Sequence, residues 1–153
     1  MKRLKDFKKM GVWEFGEKEN KYNYTIPDEI IKKKIAIYAF IENGKVMYVG
    51  QTQRTVKARF DSYAGNKKRF RESKSKGSGK YLAPAIDESR TNKSRIIEIW
   101  LWFPNLDDYE IILKQKSNEK IEKLHSIDRS VLLNLLESKC IAEGGKPPWN
   151  AND

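Results

Sequence analysis

The sequence contains almost no cysteine and no long apolar run. Cys140 is the only cysteine in 153 residues, which excludes an intrachain disulfide and a cysteine-based zinc cluster. A chain with one thiol fits a reducing compartment, so we expect a cytoplasmic protein. No apolar stretch approaches the roughly 18 residues of a membrane span, and no apolar segment of the secretory type follows the basic start MKRLKDFKKM. We therefore expect no membrane association.

Acidic residues are too few to balance the basic ones. The chain has 31 Lys and Arg against 21 Asp and Glu, which gives a formal net charge of +10 and a pI near 9.6. Such a surplus attracts polyanions, with nucleic acid as the leading partner and a membrane surface as the second. A merely basic soluble protein is the alternative. The 39% of hydrophobic residues indicates a folded domain rather than a disordered chain.

The hydrophobic pattern predicts an α+β fold with a small central, mainly antiparallel sheet flanked by helices. Residues 1–31 read as a polar N-terminal arm that contains a short strand or helical turn, and residues 32–153 read as the main domain. Within that domain, the segment IYAFIENGKVMYVGQT (residues 37–52) alternates like two strands around the turn Asn43-Gly44. The sequence therefore predicts a β-hairpin near the start of the domain.

Helices and further strands follow the hairpin. TVKARFDSYA (55–64) has the period of a helix that Thr52 or Thr55 could cap. RIIEIWLWF (95–103) alternates like a central strand, YLAPAIDES (81–89) reads as a short helix, and YEIILK (109–114) as another strand. The period of 118–143 is helical, with a break near Ser126 to Ser130 and a stop at Gly144-Gly145.

A basic insert lies between the first helix and the later strands. Residues 65–80 read GNKKRFRESKSKGSGK, and Gly and Ser make the end of this segment a loop. Its basic side chains are expected to contact DNA phosphates with a strong salt dependence; a solvated charge run is the alternative. These residues are Lys67, Lys68, Arg69, Arg71, Lys74, Lys76 and Lys80.

The register of the hairpin decides whether its two tyrosines can act together. With a plain two-residue turn, Tyr38 pairs with Val49 and Tyr48 pairs with Ala39. Directly opposed residues share a face of the sheet, so this register puts the two tyrosines on opposite faces. A site that uses both hydroxyls therefore predicts a bulge or another irregularity in the hairpin.

The tyrosines belong to an ordered set of residues that resembles a known family. AIY and YVG lie on the two strands, Arg59 lies on the following helix, Glu137 lies in the apolar run VLLNLLESKCI, and Asn150 lies in PPWN. This pattern resembles the GIY-YIG nuclease superfamily over residues 34–63 and 130–150. The matching positions are Tyr38, Tyr48, Arg59, Tyr63, Glu137 and Asn150.

The resemblance implies a role for each matching residue. Glu137 would be the single protein ligand of a Mg²⁺ ion, for which Mn²⁺ could substitute, because Mg²⁺ is commonly held by one or two carboxylates plus waters and substrate phosphate. Arg59 would hold a phosphate oxygen, Tyr38 would activate the water directly or through a relay, and Tyr48 would position water or phosphate. Tyr63 and Asn150 would support the site. The alternatives are an ordinary helix glutamate, a surface arginine and packed strand aromatics.

Two positions depart from the family pattern. Ala36 replaces the first glycine of the family name, which is a mild change if the backbone φ there is negative. Gln51 follows YVG where several relatives carry lysine. Gln51 is therefore not expected to supply the positive charge that lysine gives several relatives at this position.

These observations lead to one prediction of function and three alternatives. The chain is expected to be a stand-alone Mg²⁺-dependent endonuclease of double-stranded DNA. It would be sequence-specific in the manner of type II restriction enzymes, and a homodimer would match a palindromic site. The alternatives are a DNA repair or mobile-element nicking endonuclease, a non-catalytic nucleic-acid-binding module on the same fold, and an RNA-directed nuclease.

Overall fold

A five-stranded sheet forms the centre of the protein. The computed structural model describes residues 4–16, 21–65, 96–108 and 129–150. The strands lie in the order β2-β1-β5-β3-β4, and every neighbouring pair is antiparallel. The prediction of an α+β fold with an antiparallel sheet is confirmed. The strands are β1 (Lys8–Gly16), β2 (Lys21–Thr25), β3 (Lys34–Glu42), β4 (Lys45–Thr55) and β5 (Ile97–Trp102).

Three helices accompany the strands in the described ranges: α1 (Asp28–Ile31), α2 (Val56–Gly65) and α3 (Arg129–Glu143). Thr55 caps α2, because its Oγ1 accepts a hydrogen bond from the backbone N–H of Ala58 at 3.1 Å. After α3 the chain turns at Gly145, whose φ of 76° is a left-handed value that glycine adopts without strain. The Thr55 cap and the glycine stop are both as predicted.

The sheet is covered by a helix on each face. Tyr38, Phe40 and Tyr48 pack in one hydrophobic cluster with Phe60 and Tyr63 of α2. The side chains that alternate with them belong to a second cluster on the other face, which contains three leucines of α3. Among the described strands β4 lies at the edge of the sheet. Helices α2 and α3 both pack against it, each on its own face.

The N-terminal residues contribute to the same sheet. Strand β1 pairs with both β2 and β5, and β1 carries Trp13, which is 1% exposed. The Trp13 indole packs against the rings of Phe40 and Phe60, with centroid distances of 5.9 Å to each. The predicted arm thus shares a core with the main domain, while a domain boundary at residue 31 stays a prediction.

Several sequence-based predictions fall on residues outside the described ranges. They are the short helix at 81–89, the strand at 109–114, the first part of the helical segment 118–143, and the basic insert with Lys67, Lys68, Arg69, Arg71, Lys74, Lys76 and Lys80. No helix in the described part of the chain is long and apolar enough to cross a membrane.

Candidate active site

The β3–β4 hairpin has a bulge that puts its two tyrosines on one face. Past the turn, Ile41 pairs with Val46, but Phe40 then pairs with Tyr48, so Met47 is an extra residue on β4. Phe40 and Tyr48 therefore share a face of the sheet. Tyr38 lies two residues before Phe40 on β3, so its side chain is on that face as well. The prediction of an irregular hairpin is confirmed. This one-residue shift is what allows both tyrosines to join one site.

Three tyrosine hydroxyls meet in the interior beside α2. The Tyr38 and Tyr63 hydroxyl oxygens are 2.5 Å apart, and those of Tyr48 and Tyr63 are 3.4 Å apart. The three side chains are 0%, 1% and 5% exposed for Tyr38, Tyr48 and Tyr63. Aromatic packing alone does not require the polar ends of three rings to converge. Tyr63 bridges the two hairpin tyrosines.

Arg59 extends this hydroxyl cluster with a positive charge. Its Nε donates a hydrogen bond to the Tyr38 hydroxyl at 2.9 Å, and its guanidinium carbon lies 4.8 Å from the Tyr63 ring centroid. Burial works to lower the pKa of Arg59, but Tyr38 and Tyr63 raise it by more, so the net shift is upward. The guanidinium is therefore a cation that Tyr38 orients through Nε.

Tyr38 and Tyr63 are neutral hydrogen-bonding groups at pH 7. Burial, reinforced by Tyr48, raises the pKa of Tyr38, and Arg59 offsets only part of this shift. Burial likewise raises the pKa of Tyr63. Desolvation penalises the phenolate of Tyr38 more than the one neighbouring cation favours it. The expectation that Tyr38 activates water, directly or through a relay, stays a prediction.

Gly50 leaves the space that the Tyr38 ring occupies. A Cβ atom at position 50 would lie 2.6 Å from both Cζ and the hydroxyl oxygen of Tyr38. Tyr38 pairs with Gly50 across the hairpin, so the phenol crosses β4 at the one residue without a side chain. Tyr38 can thus extend from an inner strand toward the edge of the sheet. The letters YVG contain this residue, but sequence reasoning assigned it no structural role.

Glu137 lies on α3, which packs against β4 from the other face of the sheet. It is half-buried, one turn from Leu133, which is fully buried. Burial raises the pKa of Glu137 to about 7, and the charge of Arg59 acts in the opposite direction. Helix α2, which carries Arg59, packs against the same strand. Glu137 is therefore a carboxylate that has lost part of its hydration.

Glu137 would give a divalent cation a single protein ligand. The described residues contain no group of three or more His, Cys, Asp or Glu side chains that could bind a metal together. A site with one carboxylate suits Mg²⁺, which keeps several waters and binds substrate phosphates. A cation beside Glu137 would stabilise the ionised carboxylate and so offset the desolvation that raises its pKa.

Asn150 attaches the last described residues to the edge of β4. Its Oδ1 accepts a hydrogen bond from the Val49 N–H at 2.9 Å, and its Nδ2 donates to the Val49 carbonyl at 2.7 Å. Beside it, the Trp149 N–H donates to the carbonyl of the bulge residue Met47 at 2.8 Å. These bonds hold the edge strand next to Tyr48. Sequence reasoning predicted that Asn150 supports the site but not this bidentate contact with the backbone of one residue.

The two departures from the family pattern are accommodated locally. The left-handed φ of 62° falls on Ile35, and Ala36 has no such value, so the loss of a glycine at position 36 causes no backbone strain. Gln51 donates a hydrogen bond from Nε2 to Oδ1 of Asn134 on α3 at 2.7 Å. Gln51 therefore links β4 to α3 instead of supplying a charge.

Comparisons with known proteins give similarity to two solved nucleases. No family model matches the sequence, and neither does any curated protein. The restriction endonuclease HPY188I in complex with product DNA is similar over 67% of this chain and 58% of its own, with 19% identity and a TM-score of 0.49. A mutant of EndoII from bacteriophage T4 is similar over 62% and 64%, with 21% identity and a TM-score of 0.42. The chain spans less than two thirds of either neighbour.

Proposed function

We propose that this chain is a divalent-metal-dependent endonuclease that hydrolyses phosphodiester bonds in double-stranded DNA. The observation that carries the proposal is the convergence of three buried tyrosine hydroxyls and the Arg59 guanidinium beside β4, the strand against which α3, the helix of Glu137, also packs. The ordered set of residues that resembles the GIY-YIG nucleases contains these four positions and Glu137. The net charge of +10 supports a polyanionic substrate.

Arg59 is proposed to bind the scissile phosphate. Its Nε donates to Tyr38, which orients the guanidinium, and the Nη atoms are proposed to donate to phosphate oxygens. Since the cation is oriented before the substrate arrives, it stabilises negative charge that develops on the phosphoryl oxygens without reorganisation. Tyr63 beneath the guanidinium supports the same orientation.

Glu137 is proposed to hold the metal ion, Mg²⁺ or Mn²⁺ in its place. The bound ion would supply Lewis-acid neutralisation of phosphate charge. Glu137 contributes a carboxylate that ionises near pH 7, so it can bind a cation at neutral pH. The bound ion and the Arg59 guanidinium would then both bring positive charge to a bound phosphate.

The tyrosine hydroxyls are proposed to orient the groups of the site and to form a relay that activates the water. Tyr38 is hydrogen-bonded to both Arg59 and Tyr63, so its part in activating the water is a hydrogen-bonded relay and not a free phenolate. Tyr48 is proposed to position water or phosphate at the other end of the relay, next to Tyr63. Asn150 is proposed to keep Tyr48 in register through its contact with Val49.

The biological setting of this activity is a finer proposal. We propose a restriction-like enzyme that cuts as a homodimer at a palindrome. The predicted insert at 65–80 and the N-terminal arm would supply its sequence specificity. Repair or mobile-element nicking, an RNA substrate and a non-catalytic binding module are the alternatives. A cytoplasmic location rests on the single, buried Cys140.

A cleavage assay tests the proposal. Purified protein is incubated with supercoiled plasmid and with a structured RNA, in Mg²⁺ and in EDTA, beside Glu137→Ala. Discrete DNA fragments that require Mg²⁺ and Glu137 support a sequence-specific DNA nuclease, whereas a smear supports a nonspecific one. RNA cleavage alone would reassign the substrate. Salt-sensitive binding without cleavage of either substrate would favour the binding module.

A further inference from the structure

A second bulge lies at the opposite end of the β3–β4 hairpin from the turn. Lys34 pairs with Thr55 and Ala36 pairs with Thr52, so β4 again has one more residue than β3. The Thr52 hydroxyl accepts a hydrogen bond from the Arg54 N–H at 3.1 Å and donates to the Arg54 carbonyl at 3.4 Å. Thr52 is 5% exposed, whereas Arg54 is exposed. A buried hydroxyl thus fixes the backbone of an exposed arginine, and bulges commonly re-aim side chains beside sites.

Two exposed lysines lie at the same end of the hairpin. Lys32 belongs to the connection between α1 and β3, and Lys34 is the first residue of β3. The Lys33 carbonyl accepts a hydrogen bond from the Val56 N–H at 3.0 Å, which ties this connection to the start of α2. The Lys33 ammonium lies 5.0 Å from the Phe103 ring centroid, so Lys33 has a contact of its own. Lys32, Lys34 and Arg54 together form what we name the hairpin-end basic ridge.

The ridge has no acidic partners among the described residues. Ion pairs engage Lys9, Lys57, Arg129 and Lys139 with carboxylates, and none of these pairs includes a member of the ridge. The acidic residues nearest in sequence to Lys32 and Lys34 are Asp28 and Glu29, in the first turn of α1, and the one nearest to Arg54 is Asp61, which pairs with Lys57. The ridge therefore carries positive charge that the described part of the fold leaves uncompensated, in contrast to Lys57 on the neighbouring helix.

The ridge is continuous with Arg59. Thr55 follows Arg54 directly and caps α2, and Arg59 lies one helical turn later, about 6 Å along the axis. Helical side chains lean toward the N-terminus of their helix, so Arg59 lies over the turn that Arg54 precedes. Successive nucleotides of a DNA strand rise by about 3.4 Å. A strand with one phosphate on Arg59 would thus present its next phosphates to the ridge.

We propose that Lys32, Lys34 and Arg54 bind the phosphates of the DNA strand that flank the one held by Arg59. This inference rests on the proposed nuclease function and adds to it a surface that positions the strand independently of its base sequence. The predicted contacts of the insert at 65–80 are separate from it, because they would lie on a different segment of the chain.

Salt-dependent DNA binding tests the ridge. The triple variant Lys32→Gln, Lys34→Gln, Arg54→Gln is titrated with a labelled duplex in EDTA at several salt concentrations, beside wild type. Each lost phosphate contact lowers the magnitude of the slope of log K against log salt by about 0.9, so the slope should decrease by roughly two to three. Affinity should fall about tenfold or more. The loss of affinity should also slow cleavage at DNA concentrations below saturation.

Two matched variants distinguish ridge contacts from general charge. Lys5→Gln, Lys8→Gln, Lys45→Gln removes three exposed lysines elsewhere and should leave the slope nearly unchanged. Lys32→Arg, Lys34→Arg, Arg54→Lys keeps the charge and should keep the slope. The ridge would be overturned by equal losses of DNA affinity in the two glutamine triples, or by no loss in the ridge triple. It would also be overturned if the ridge triple lost affinity for duplex RNA or anionic vesicles but not for DNA. A wild type that neither binds nor cleaves DNA would instead overturn the proposed function.

Discussion

The phenol of Tyr38 lies directly over Gly50, on the neighbouring strand. A Cβ at Gly50 would come within 2.6 Å of the Tyr38 hydroxyl oxygen and Cζ, too close for any real contact. The hydroxyl at the end of this ring bonds to Arg59 and Tyr63. The absence of one side chain on β4 is therefore a condition for assembling the site.

Gly50→Ala should displace the Tyr38 ring and weaken its bonds to Arg59 and Tyr63. We expect a loss of stability of about 1–3 kcal/mol, as for other overpacked cores, and a strong fall in the cleavage rate. Gly44→Ala is the control: Gly44 has a φ of 76° and nothing within 4 Å of its added Cβ. That variant should lose stability through backbone strain while cleaving at the wild-type rate under folding conditions. Denaturant melts and single-turnover rates measure both; equal rates for the two alanine variants would contradict this account.

Tyr63→Phe should slow cleavage without unfolding the protein. It removes the hydroxyl that bridges Tyr38 and Tyr48 but keeps the ring in the core, and we expect a roughly ten- to hundredfold lower rate. Tyr24→Phe is the matched control, because the Tyr24 hydroxyl bonds to Asp61 on the same helix, outside the cluster. Similar rates for the two phenylalanine variants would show that the hydroxyl cluster does not contribute to catalysis.

Glu137 should make folding stability fall as the pH rises. Burial raises its pKa from 4.5 to about 7. The protonated carboxyl therefore makes its full contribution to folding stability below the unfolded pKa near 4.3. That contribution is lost as the pH rises through 7. Glu137→Gln should therefore be more stable than wild type at pH 8, by about 1 to 3 kcal/mol, and equally stable at pH 4. Urea melts at both values test this, with the exposed Glu14→Gln as control. A gain that is the same at pH 4 and pH 8 would show that burial does not raise this pKa.

Metal binding should follow the ionisation of the same carboxylate. Because Glu137 must be deprotonated to bind a cation, the apparent Mg²⁺ affinity should rise about tenfold per pH unit below pH 7 and then level off. Calorimetric titration of Mg²⁺ into the protein between pH 5.5 and 8.5, in the presence of a non-cleavable duplex, measures the affinity. Glu137→Gln should bind weakly at every pH. A pH-independent affinity would place the metal on another group.

Asn150→Ala should loosen the edge strand beside Tyr48. The variant leaves the N–H and C=O of Val49, which is itself buried, without their side-chain partners, and we expect a loss of about 1–3 kcal/mol. The amide hydrogen of Val49 should exchange faster with solvent, while that of Ala39 on the inner strand β3 should change only by the global loss. Unchanged protection of Val49 would mean that the amide contact does not secure the strand.

Local patterns in the sequence predicted most of the framework of the site. Alternation and Asn43-Gly44 indicate the hairpin, Thr55 marks the start of α2, and the demand that two tyrosines act together implied the bulge that the structure contains. These inferences succeed because each depends on residues a few positions apart.

The remaining features depend on contacts between distant segments. The pairing of β1 with β5 joins Lys8 to Leu101, and no local pattern specifies that partner. The protonation state of Tyr38 depends on how completely α2 and the sheet bury it. The function of Gly50 as a gap is visible only once Tyr38 is seen above it. Sequence periodicity identifies buried faces, but desolvation and steric exclusion follow from the assembled layers.

The central claim is that Arg59 and Glu137 act on one phosphate from two faces of the sheet edge. Single-turnover cleavage of a labelled duplex in Mg²⁺ tests it most directly, with Arg59→Ala, Glu137→Ala and the control Lys139→Ala, whose side chain pairs with Glu143 on the surface of α3. We predict a rate lowered by roughly a hundredfold or more in each of the first two variants, with folding intact, and an unchanged rate in the control. Wild-type rates in folded Arg59→Ala and Glu137→Ala would contradict the claim.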